Sequence, residues 1–150
     1  MPCLADERGF SLVELLVIVM VIGVLAAIAL PAFLGQSDKA AAAEAKSAAR
    51  TGATAAQILA LEFDHRGNRN ITNDLKAIEP SLADAYRFRA QMRPGGAFFS
   101  EARSRKTGVR YRISRDWPGW GQTGISYRLC DRPGVGGCGT TRGPRNWGVW

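Results

Sequence analysis

From Leu15 to Leu34 the sequence runs for 20 residues without a charged or strongly polar side chain. As a helix such a run rises ~30 Å, enough to cross the hydrocarbon core of a bilayer. The stretch LLVIVMVIGVLAAIAL is apolar on all sides and has no stripe, so only lipid or a fully buried position suits it. A chain of 150 residues has too little mass to bury it. The run therefore reads as a single membrane-spanning helix.

Two residues are unusual for a plain anchor. Glu14 sits inside the first turn of the apolar run, where a carboxylate is costly and intramembrane charges usually have partners. Pro31 lies near the far end, where it removes a backbone donor and disfavours a continuous helix. The rival reading is an ordinary secretory signal, with Ala27-Ile28-Ala29 as a small-residue cleavage site. Against it, residues 1–9 hold Asp6 and Glu7 against Arg8, so the positive leader is missing. The apolar run also continues past that site.

The stretch Arg8-Gly9-Phe10-Ser11-Leu12-Val13-Glu14-Leu15-Leu16-Val17-Ile18 resembles the N-terminus of type IV prepilins and of the pseudopilins of type II secretion and competence systems. The match combines a short polar leader ending in Arg-Gly, a Phe, a Glu five residues into the mature chain, and the apolar run. It extends to about Ala40. The resemblance implies a leader over residues 1–9, a transmembrane and assembly helix over 10–35, and an extracytoplasmic head over 36–150. It implies cleavage between Gly9 and Phe10 by a prepilin peptidase in the bacterial cytoplasmic membrane, and N-methylation of Phe10. Glu14 would serve assembly by pairing with the new Phe10 amine of a neighbouring subunit, which removes the cost of burying either charge alone. Pro31 falls at the 22nd mature position, where many pilins also have proline. Gly23 and Pro31 bracket a segment that could unwind on packing. Small residues at Gly23, Ala26, Ala27 and Ala29 let helices approach closely.

The head reads as α+β, a long helix packed on a small antiparallel sheet. Residues 36–64 are rich in alanine with sparse Lys, Arg and Glu, a helical composition, with Gly52 a weak point. Ile58, Leu59, Leu61 and Phe63 cluster at its end and are expected over the head's core. His65 to Asn73 reads as loop, and Thr72-Asn73-Asp74 as the cap of a short helix. Period-two alternation predicts strands over Ala85–Met92, Val109–Ser114 and Gly124–Cys130, with Tyr86, Phe88, Tyr111, Ile113, Tyr127 and Leu129 among the inward residues. Ala97-Phe98-Phe99 reads as a short edge strand or a plug.

Cys3 would leave with the leader, so Cys130 and Cys138 remain as an even pair in an oxidising compartment, either bridged or as free thiols. A bridge is expected, and many pilins carry one near the C-terminus. Residues 101–150 hold nine Arg and one Lys against Glu101, Asp116 and Asp131, which accounts for the whole net charge of +7. Arg103, Arg105, Lys106, Arg110, Arg112 and Arg115, with tryptophans at 117, 120, 147 and 150, could contact an anion or single-stranded nucleic acid; the alternative is a solvated strand face. No second His, nucleophile–base spacing or phosphate loop accompanies His65, so neither enzyme chemistry, a cofactor nor a metal is expected. The expected function is a structural subunit of a pilus or pseudopilus, partnered by its own copies and the assembly machinery. The alternatives are a tethered or filament-tip protein that binds DNA or surfaces through a basic head, and a head released by ordinary signal peptidase.

Overall fold

The computed structural model describes residues 10–62, 67–115, 126–141 and 147–150, with Ala32 and Leu34 as backbone only. The leader, Phe63, His65, Trp117, Trp120 and the Gly124–Ile125 start of the third expected strand lie outside the described residues. The chain divides into two units, Met1–Gln36 and Ser37–Trp150. Helix α1, Leu12–Glu62, is continuous in assignment across that boundary and through Pro31.

In the second unit six strands form one antiparallel sheet in sequence order. They are β1 Arg69–Asn70, β2 Arg89–Met92, β3 Phe98–Arg103, β4 Arg110–Arg115, β5 Ser126–Cys130 and β6 Gly148–Val149. Helix α2, Thr72–Ile78, and a 3₁₀ turn at Pro80–Leu82 lie between β1 and β2. The α+β architecture is the expected one.

The part of α1 within this unit buries a stripe of small residues, Ala42, Ala45, Ala49, Gly52, Ala53, Ala56 and finally Leu59. Their spacing of threes and fours keeps one face inward. The sheet answers with Ala90, Met92, Phe98, Ala102, Tyr111 and Ile113, and Ile71, Leu75 and Leu82 complete the core. Small side chains on the helix permit close approach, and Gly52 marks its limit. A Cβ there would stand 2.4 Å from Ser100 Oγ and 2.6 Å from the Phe88 ring. Gly52 is thus a close-packing position, not the weak point expected.

Other expectations are corrected. Ile58 and Leu61 are 52% and 90% exposed, and only Leu59 of that trio is buried, because 58 and 61 fall off the inward stripe. The strand expected from Ala85 starts at Arg89, since Arg87 takes a left-handed backbone (φ 50°) that ends the extended run. β3 is an interior strand, paired with β2 and β4, not an edge. β1 lies inside the expected loop, pairing with Met92 and Gln91. Thr72 does not cap α2. Its hydroxyl donates to the Ala90 carbonyl at 3.2 Å and accepts the Ala90 N–H at 3.0 Å, while Asn70 Oδ1 accepts from the Thr72 N–H. In β5 the expected faces are exchanged. Cys130 pairs with the buried Tyr111, so it faces the helix, and Leu129 pairs with Arg112 on the opposite face.

Candidate functional site

The N-terminal unit begins its helix at Leu12. The Ser11 carbonyl accepts from the N–H groups of Glu14 and Leu15 at 3.0 and 3.2 Å, so Ser11 occupies the cap position and Glu14 the third helical one. Ser-x-x-Glu is the spacing of a capping box, a helix-start signal that reasoning from charge alone overlooks. A carboxylate in the first turn also complements the helix dipole. Phe10 and Glu14 stand four residues apart at the chain's approach to the helix. From Leu12 to Leu30 every large apolar side chain is exposed, and none of the membrane-length apolar window is buried.

In the head, Cys130 and Cys138 stand at disulfide distance, with Cα atoms 5.8 Å apart. The loop between them turns through glycines with left-handed backbone at Gly134, Gly136 and Gly137. Its tip is fastened from both layers. The buried Tyr111 hydroxyl donates to the Gly136 carbonyl, and Lys46 of α1 donates to the Gly137 carbonyl at 2.8 Å. The Lys46 ammonium also lies 5.1 Å from the Tyr111 ring centre and 5.6 Å from that of Trp150. Desolvation, and then the charge of Arg50, hold its pKa below the usual lysine value. Desolvation, and then Asp131, raise that of Tyr111. Trp150 meets Tyr111 edge-on at 5.8 Å, and its indole donates to the Leu129 carbonyl at 2.9 Å, so this side chain is docked against the sheet. Gly148 is required here, since a Cβ would stand 2.6 Å from Cys138 Sγ.

A bridge across so short a loop contributes about 2.5 kcal/mol by the chain-entropy relation. Non-reducing peptide mapping of freshly isolated protein is expected to recover Cys130 joined to Cys138. Two alkylatable thiols would count against the bridge.

The basic residues do not form one patch. Arg112 donates to Glu101 Oε2 from Nε at 2.8 Å and from its terminal nitrogen at 2.5 Å, and its guanidinium lies 4.2 Å from the Phe99 ring centre and 5.0 Å from that of Trp147. Arg110 lies 3.8 Å from Asp131 and 3.9 Å from Glu101. Arg105 pairs loosely with Glu44 at 3.5 Å and donates to the Asp84 carbonyl. Lys106 is exposed in the β3–β4 hairpin, and Arg115 is exposed at the far end of β4. Arg103 instead joins Arg87, Arg89 and Glu101 around an open concavity of about 230 Å³. Arg87 and Arg89 were legible in the sequence only as the polar half of an alternating strand. Among the described residues no three His, Cys, Asp or Glu side chains gather as metal ligands.

The chain thus joins an apolar helical segment long enough to cross a membrane to a small α+β head. Residues 4–30 match the family model of the prokaryotic N-terminal methylation motif, the signature of type IV pilins and pseudopilins. No curated protein and no solved structure matches the chain. That motif, which belongs to structural proteins, supports a type IV pilin-like or pseudopilin-like precursor, and it implies prepilin peptidase processing and assembly into pilus-type filaments.

Proposed function

We propose that this protein is a non-enzymatic structural subunit of a type IV pilus or type II secretion-type pseudopilus, stored in the bacterial cytoplasmic membrane and polymerised through α1 into a surface filament. The observation that carries the reading is the methylation motif on a helix whose apolar, membrane-length surface is exposed among the described residues. Such a surface needs lipid before assembly and other copies of itself after. Prepilin peptidase cuts between Gly9 and Phe10 and methylates the Phe10 amine. The resulting cation pairs with Glu14 of a neighbour, setting the register of each incoming subunit.

N-terminal sequencing and intact mass of the mature protein test this. The expected product begins with N-methylated Phe10, and Gly9→Val is expected to leave the precursor uncut. A mature chain that begins at Met1 or Leu30 defeats the reading. A second reading, a tethered or filament-tip protein that binds through its head, draws support from the arginines around the concavity.

A further inference from the structure

We infer that the concavity lined by Arg87, Arg89 and Arg103 is a binding site for the phosphodiester backbone of nucleic acid. The site is built on the sheet face turned away from α1. Arg89 is the register partner of Glu101, and Arg103 that of Arg110, so these side chains share a face with Arg112. Its lining includes the buried Glu101, whose Oε2 is engaged by Arg112 and approached by Arg110. The Glu101 charge is thereby answered. Arg87, Arg89 and Arg103 line the same concavity, and among the described residues none of the three is ion-paired with an acidic side chain.

Their placement is fixed by backbone. Arg87 holds a left-handed conformation at a turn, and the Arg103 N–H donates to the Tyr86 carbonyl at 3.0 Å, closing that turn onto the end of β3. Non-glycine residues rarely take such a backbone, and it brings a third guanidinium to the rim.

Phosphate is favoured over the other anions by three features. Guanidinium groups offer paired donors that match phosphate oxygens. The described lining is wholly charged, with no apolar side chain to enter a bilayer. The aromatic side chains nearby are already engaged by cations, Tyr86 by Arg87 and Arg105 and Phe99 by Arg93 and Arg112. The described lining holds no aromatic side chain for base stacking, so the contact is to backbone and independent of sequence and strandedness. The Ser37–Trp150 unit holds nineteen basic residues against ten acidic, which steers any polyanion toward it. The site needs one subunit only. Its repetition along a filament, and the avidity that follows, rest on the filament reading.

The test uses the full, processed chain in zwitterionic detergent and a fluorescein-labelled 30-nucleotide DNA, single-stranded and duplex, titrated at several salt concentrations. The triple variant Arg87→Ala/Arg89→Ala/Arg103→Ala is compared with Lys39→Ala/Lys76→Ala/Arg132→Ala, which removes the same charge elsewhere. The first triple is expected to weaken binding about tenfold or more at 0.1 M salt and to flatten the log–log salt dependence by roughly two to three, at ~0.9 per lost contact on duplex. The second is expected to change either by far less. Should the first triple not fold, Arg89→Ala and Arg103→Ala singly are each expected to lower the slope by about one. Equal losses from the two triples, or no loss from the first, overturn the site. Competition by poly-glutamate or by anionic phospholipid vesicles as strong as that by unlabelled DNA overturns the ligand assignment. N-terminal sequencing of the same preparation reports separately on the filament reading.

Discussion

Glu14→Leu is expected to leave the protein processed and held in the membrane while nearly abolishing its filaments. Glu14 is the one charged side chain between Phe10 and Leu34, so a pure anchor gains from losing it. Insertion of the variant should be at least as good, because a carboxylate at the edge of the apolar run carries an insertion cost. Assembly responds in the opposite sense. The amine of an incoming Phe10 would enter the filament core without a counter-charge, and breaking a buried pair costs about 3–5 kcal/mol. That corresponds to incorporation weakened on the order of a hundredfold or more per subunit. Membrane fractionation reads the first quantity and negative-stain microscopy the second. Normal filament number and length would refute the pairing and favour a tethered monomer.

Gly52→Leu is expected to lower the stability of the head by about 3 kcal/mol, from overpacking where helix and sheet are closest. Helix propensity argues the reverse, since replacing an interior glycine by a good helix former gains roughly 0.5–1 kcal/mol. The geometry decides between them. The new Cβ meets Ser100 Oγ and the Phe88 ring at distances that real carbons essentially never show, and Ser100 is itself fully buried on β3. Thermal unfolding of the full chain in detergent, followed through the tryptophan near-ultraviolet signal, should show a midpoint lower by roughly 10 °C or more. A variant as stable as the parent, or a stabilised Gly52→Ala, would mean that the contact is looser than described.

The helix, the anchor and the alternation of β4 were legible because each repeats one chemical signal over many residues. β3 was legible only at its start, Phe98-Phe99, because its inward residues after Phe98 are Ser100 and Ala102, small side chains beside α1, and neither reads as core. The exchange of faces in β5 has a similar origin. Tyr127 and Leu129 look like the inward set, but Cys130 must face Tyr111 and its sulfur partner, and one residue of shift exchanges every side chain. The inward stripe of α1 was written plainly, at 42, 45, 49, 52, 56 and 59, yet alanine elsewhere in the same stretch concealed it. At the candidate sites, Phe10 and Glu14 were found by resemblance. The concavity was not found, because it joins β2 and β3, whose pairing the sequence does not announce.

The sheet ends at both sides in strands of two residues, β1 and β6. A filament concentrates many identical heads at close quarters, where a long bare strand would invite edge-to-edge pairing and amyloid-like growth. Edges this short offer too few open backbone groups to template another strand. In the proposed filament, growth would thereby be confined to one geometry, helix against helix.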